Sequence, residues 1–202
     1  MSQMTSARRR VNTRALTVTA MFSAVAFVLM FLEFSIPVVI PSFVKMDVSE
    51  LPALLAAFGL GPVYGVVVCL VKNLLHLLVT TTGGAGELGN FLLGACFILP
   101  AGLIYHMHKS RKNAIIGALV GAVIMALMSI PLNYYITYPV YSNFMPIDAI
   151  LGMYQELRPS TNSLLECLMI FNAPFTLAKG LIDAALCFLI YKPLSPIIHG
   201  RR

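Results

Sequence analysis

Long apolar stretches, cut by prolines, glycines and short basic clusters, constrain this chain more than any other feature. Six can be marked: Thr13–Ile36, Ser49–Gly59, Pro62–Val79, Glu87–His106, Asn113–Tyr138 and Leu164–Tyr191. Only 11% of the residues are charged, against about 25% in a soluble domain. In hydrocarbon every backbone polar group must be paired within the segment, which makes each crossing stretch a helix. The expected fold class is therefore an all-α integral membrane protein with six transmembrane helices. The second is short against the roughly 20 residues a crossing needs, so part of the long outer loop before it must dip into the membrane. Pro37 and Pro41 end the first helix, Ser49 or Asp47 is the expected N-cap of the second, and Thr80–Gly86 reads as a turn. A long loop with Pro139, Pro146 and Pro159 joins the last two helices.

The basic residues set a direction. An even number of crossings puts both termini on one side. That side then holds Arg8, Arg9, Arg10 and Arg14, the connection Lys109–Lys112, and Lys192, Arg201 and Arg202. The other side holds Lys45 and Arg158, so both termini are expected in the cytoplasm. The expected organisation is a basic N-terminus over 1–12, one six-helix membrane domain over 13–192, and a basic tail over 193–202. The net charge of +6 flanks apolar runs instead of lining one face, which argues against nucleic acid. The first stretch runs past Ala24-Val25-Ala26, longer than the roughly 7–15 apolar residues of a cleaved leader, and reads as an uncleaved helix. Cys69, Cys96, Cys167 and Cys187 lack paired spacing and indicate neither a disulfide framework nor a metal site.

Polar residues inside the stretches carry the functional signal. Lys179 lies deep in the last one, with Asn172 and Thr176 seven and three positions before it, on one helical face. An intramembrane lysine marks a functional site by default; the competing explanation is a structural pair with Asp183, one turn on. Asn133 near the outer end of the fifth helix falls at a similar depth to Asn172. Glu87 and Asn90 open the fourth helix on one face, Lys45, Met46, Asp47 and Glu50 lie in the first outer loop, and Lys72, Asn73 and His76 sit in the third helix. These groups occupy the outer half or the midplane, which is the pattern of a pocket reached from outside. A pore needs polar lining throughout. A stand-alone transporter shows repeated halves, and no internal repeat is present. No G-x-x-x-x-G-K-[S/T] loop is present, so any energy for movement comes from elsewhere.

The amides Asn90, Asn133 and Asn172, the hydroxyls of Thr176, Tyr134 and Tyr135, the Glu87 carboxylate and the Lys179 ammonium suit a flat heterocycle with imide-like edges. Met46, Phe91 and Phe175 are candidates to pack on its faces. Ala20 and Ala24, Gly61 and Gly65, and Gly117 and Gly121 are pairs of small residues four apart, which let helices approach closely.

The chain resembles the riboflavin-type substrate-binding S components of energy-coupling factor (ECF) vitamin transporters. The resemblance rests on Lys45-Met46-Asp47-Val48-Ser49-Glu50-Leu51-Pro52, on Gly61-Pro62 leading to Lys72-Asn73-Leu74-Leu75, on Asn90-Phe91, on Leu132-Asn133-Tyr134, and on Pro174-Phe175-Thr176-Leu177-Ala178-Lys179-Gly180. It implies a six-helix protein that captures riboflavin or its phosphate, FMN, as a transported ligand and not a cofactor. It also implies docking on a transmembrane coupling subunit driven by two cytosolic ATPases. The first outer loop would cover the pocket, Asn133 and Lys179 would contribute to binding, and Ala20 and Ala24 would form the docking face. Thr176 stands where that family usually has asparagine, and Asn172 one turn earlier is placed to compensate. Three alternatives remain on the residues alone. They are an S component for another vitamin or heterocycle, a small membrane enzyme using Lys72, His76 or Glu87 as acid–base groups, and an assembly protein whose polar groups only join helices.

Overall fold

The computed structural model describes residues 13–199; the N-terminal arginines Arg8, Arg9 and Arg10 and the terminal Arg201 and Arg202 lie outside them. Apart from one pair of two-residue strands the described chain is helical. Helix α1 spans Thr13–Met30, α2 Glu50–Gly59, α3 Pro62–His76, α4 Ala85–Met107 and α5 Arg111–Leu132. After α5 come a π turn at Asn133–Thr137 and a short α6, Tyr138–Tyr141. Helix α7 spans Ile147–Leu157, α8 Leu164–Cys167, a second π turn Leu168–Asn172, and α9 Ala173–His199. Five helical segments are long and apolar enough to cross a membrane: Thr13–Met30, Pro62–Val79, Ala85–Met107, Arg111–Tyr141 and Leu164–Tyr191.

Four features differ from the expectation. The first helix stops at Met30, before the expected Ile36, because the chain turns into a hairpin in which β1 (Phe34–Ser35) pairs antiparallel with β2 (Lys45–Met46). Pro37 disfavours helical geometry just before it and keeps the segment extended. Ser49 precedes α2 but its side chain does not cap it; the hydroxyl is turned instead to Asp47 and Lys72. The long loop before the last helix contains α7, and Pro139 lies inside α6. Finally, α9 continues to His199, into the stretch expected as tail.

The two π turns share a cause. In each, an N–H reaches five residues back: Tyr138 to the Asn133 carbonyl, and Ala173 to the Leu168 carbonyl. Each is followed closely by a proline, Pro139 or Pro174. A proline ring crowds the carbonyl four residues before it and donates no bond to it. Widening the preceding turn relieves that crowding, and such bulges often sit at functional sites. Both turns contain an asparagine singled out in the sequence, Asn133 opening the first and Asn172 closing the second.

Helix α2 is the hub. Every residue from Glu50 to Phe58 is buried, and the helix packs against α1, α3, α4 and α9. Ten residues rise about 15 Å, half the hydrocarbon thickness. Since α2 leads through Gly61 into the start of α3, its N-terminus lies near mid-depth. The loop that ends at Ser49 is thereby carried into the bundle. Below it, small residues close the core. A Cβ on Gly65 would meet the Ala53 carbonyl oxygen at 2.6 Å, and one on Gly117 would meet that of Ala101 at 2.7 Å. The turn before α4 uses left-handed backbone at Gly83 (φ 61°) and Gly84 (φ 90°), which explains the glycine pair.

Candidate ligand-binding site

The ends of five segments meet on one side of the bundle. They are the C-terminus of α1, the C-terminus of α3, the N-terminus of α4, the far end of α5–α6, and the first turns of α9 with its π turn. Together with the first loop they enclose a cavity of about 180 Å³. Asp47, Glu87, Asn90, Asn133, Asn172, Thr176 and Lys179 all line it. Met46 does not; it packs behind the wall with Ile40 and Phe175, and Phe175 does face the cavity. Arg14, Lys109, Arg111 and Lys112 are at the opposite end of the helices.

The floor is ionic. Lys179 Nζ donates to Asp47 Oδ2 at 2.9 Å and lies 3.1 Å from Glu50 Oε2. Lys72 Nζ donates to Glu50 Oε1 at 2.7 Å, and its other partner is the Ser49 hydroxyl. The Ser49 N–H donates to Asp47 Oδ1 at 2.8 Å. Two ammoniums thus face two carboxylates, and the first loop is fastened to α3 and α9. Burying such charges is costly unless each is paired, and here each is. The structural pair considered for Lys179, with Asp183, is not the one formed. Asp183 is fully buried and neither carboxylate oxygen has a hydrogen-bond partner among the described residues. Helix spacing permits that pair; a carboxylate brought in by the loop outcompetes it.

One wall belongs to Glu87. Its Oε1 lies 2.8 Å from His76 Nδ1, and its Oε2 accepts from Thr80 at 2.9 Å and from Thr82 at 3.1 Å. Beside it, Asn90 Oδ1 is buried without a hydrogen-bond partner among the described residues. Nearly all buried polar atoms are paired, so an unpartnered amide oxygen in a cavity wall points to something that enters the cavity. The opposite wall holds Asn172, bonded to Tyr154 and Tyr138. Over the mouth, the half-exposed Lys45 pairs with Glu33 across the hairpin.

Some sequence expectations are corrected. Tyr134 and Tyr135 are 39% and 73% exposed and do not line the cavity. They follow Asn133 by one and two positions, which turns them about 100° and 200° away from it on a helix. Phe91 packs against the main core instead of the cavity. Lys72 and Asn73 are buried behind the floor and outside the lining. Tyr138, Tyr141, Thr137 and Phe43 line the cavity but were not singled out. Thr137 and Tyr141 are four and eight positions after Asn133, a spacing that could have found them; Tyr138 is five after it, in register only because of the π turn. Ala20 and Ala24 are exposed side by side on α1 and lie outside the cavity.

Residues 14–191 match the family described as ECF transporter, substrate-specific component. The chain belongs to that family. Among S components, it is similar to the riboflavin transporter RibU of Staphylococcus aureus, at 35% identity over 93% of this chain and 95% of the relative. The riboflavin transporter FmnP of Bacillus subtilis is 30% identical, over 95% of this chain and 97% of its own length. A solved structure, described as the structure and mechanism of the S component of a bacterial ECF transporter, superposes with a TM-score of 0.73 at 32% identity. It matches 95% of this chain and 100% of its own. A multi-pass membrane protein serving a transporter as its substrate-specific component is thus what the chain is.

Proposed function

We propose that this S component captures riboflavin from outside the cell and presents it to an ATP-driven ECF importer. The support is the unpartnered Asn90 amide oxygen in a cavity that also receives Asn133, Asn172, Thr176 and Lys179, in a chain whose relatives are named riboflavin transporters. Asn90, Asn133, Asn172 and Thr176 offer donors and acceptors to the ring edges, and Lys179 offers an ammonium. Asp47 and Glu87 orient cations and hydroxyls around the ligand, and Met46 backs the Phe175 face. The short α2 and the loop before it together make a sixth crossing, which leaves both termini in the cytoplasm and the cavity facing out. The basic segments 1–12 and 193–202 flank the membrane domain on that inner side. Energy comes from partners: a transmembrane coupling subunit and two cytosolic ATPases. The bare Ala20–Ala24 face of α1 is where the coupling subunit docks.

The purified protein should be yellow or should quench flavin fluorescence on titration; colourless protein that leaves added riboflavin fluorescence unchanged sinks the proposal. A parallel titration with FMN tells whether the phosphate is accepted. Ala24→Arg should bind riboflavin as wild type yet abolish uptake in cells that depend on it, and undiminished uptake would remove the docking role. Thr176, where asparagine is usual in such proteins, favours one second reading: an S component for a related heterocycle. Mass spectrometry of the ligand carried through purification separates the two.

A further inference from the structure

We propose that Tyr154, on the loop helix α7, is a specificity-determining positioning residue: through a closed ring of hydrogen bonds with Tyr138 it fixes how Asn172 presents its amide to the ligand. The inference rests on the flavin-capture reading. Tyr154 is fully buried and does not line the cavity, so any effect it has on the ligand passes through another residue.

The geometry is a three-membered ring. Tyr154 hydroxyl donates to Asn172 Oδ1 at 2.6 Å. Asn172 Nδ2 donates to the Tyr138 hydroxyl at 3.3 Å. The two hydroxyl oxygens are 2.6 Å apart. With the Tyr154 proton on Asn172, the bond between the tyrosines is made by the Tyr138 proton. Each member then donates once and accepts once. The distances fit this direction: 2.6 Å suits O–H···O, and 3.3 Å suits only a long N–H···O. All three groups are buried, where mutual polarisation strengthens such a ring and a broken one leaves unpaired groups.

The ring uses one N–H and one lone pair of Asn172. The two hydroxyl oxygens are only 2.6 Å apart, so the ring closes over the edge where Oδ1 and Nδ2 lie side by side; the remaining lone pair and N–H diverge from the two outer flanks of the amide, held in a fixed plane at the cavity wall. Pinning the plane holds the outer Oδ1 lone pair in one direction, where it accepts from the single N–H of an imide edge. A free asparagine rotates and reads such an edge poorly; a pinned one discriminates. Pinning matters more here because Thr176, one turn on, brings only a short hydroxyl and no second amide to that face. The clamp is itself braced. Phe43 of the first loop meets Tyr154 edge-on with ring centres 6.1 Å apart, and Ile150 of α7 is fully buried beneath it.

The test is a double-mutant cycle on the full-length protein, read by quenching of flavin fluorescence. Wild type, Tyr154→Phe, Asn172→Ala and the double variant are titrated with riboflavin and with riboflavin methylated at the ring N3. Loss of the Tyr154 hydroxyl should weaken riboflavin binding by about five- to tenfold, the size of one hydrogen bond. It should also shrink the penalty for the methylated ligand, and add nothing in the Asn172→Ala background. Tyr138→Phe opens the same ring from the other side and should reproduce the effect; because Tyr138 also lines the cavity, it serves in place of a Tyr154→Phe that does not fold only through its own cycle with Asn172→Ala, in which its effect should vanish. Wild-type-like affinity in both tyrosine variants, or an effect that persists in full without Asn172, overturns the positioning role while leaving riboflavin capture standing. Wild-type protein that binds no riboflavin overturns the capture reading and this inference with it.

Discussion

The cavity half of the bundle and the half beneath it solve different problems with different side chains. Around the cavity, α3, α4, α9 and the first loop meet through Lys72, Glu50, Lys179, Asp47, Glu87 and His76. Toward the opposite end, α2–α5 meet through Ala53, Ala57, Gly65, Ala101, Gly117 and Gly121, with backbone nearly touching backbone. The hydroxyls of Thr19 and Ser23 there donate to carbonyls of their own helix. In lipid there is little hydrophobic gain from joining helices, so one half relies on close packing of small residues. The other half tolerates costly polar groups because they are arranged for something else. Asp183, buried one turn beyond Lys179 and without a hydrogen-bond partner among the described residues, marks the border between the two.

Lys72 separates the two halves most sharply. Its side chain is fully buried and paired with Glu50, yet it does not line the cavity. Lys72→Met should destabilise the ligand-free protein by about 3–5 kcal/mol, the usual cost of removing one partner of a buried pair. Thermal unfolding in detergent measures it, and an unchanged midpoint would mean that the floor is not held by charge. In the other half, Gly121→Leu should lower stability by about 1–3 kcal/mol, as overpacking does. A Cβ there already falls 2.5 Å from the Phe97 carbonyl oxygen. The folded fraction should keep its riboflavin affinity; a matching loss of affinity would erase the distinction between the halves. Asn133→Ala should show the reverse pattern, with little change in unfolding and an affinity loss of roughly 5- to 150-fold. Equilibrium titration decides. The smallest effect belongs to the Lys45–Glu33 pair at the mouth, whose side chains are 38% and 26% exposed. Lys45→Ala should shift stability by no more than about 1 kcal/mol, and a larger drop would make the hairpin part of the structural floor.

The sequence made the apolar helices legible because hydrophobic length is a strong signal, and it made the Asn172–Thr176–Lys179 face legible because helical spacing is rigid. The lining by Asp47 and Asn133 was legible too, through direction and depth. What escaped it has physical reasons. The π turns change register by one residue, so Tyr138 joins the site against ordinary helical spacing. Helix α7 is short and lies between prolines, and its one decisive side chain, Tyr154, acts through a long-range contact that no local pattern records. The choice of Asp47 over Asp183 as partner for Lys179 likewise depends on a loop folded back over 132 positions of chain.

The proposed flavin-capture role of the polar end of this bundle makes one demand above all: the lining must carry the affinity. Quenching of riboflavin fluorescence by purified wild type and by Asn133→Ala, measured side by side with their unfolding midpoints, tests it most directly. Saturable one-to-one quenching by wild type and a clearly weaker curve for the variant at equal midpoint are expected. Absent quenching by folded wild type, or superimposable curves for the two proteins, would contradict it.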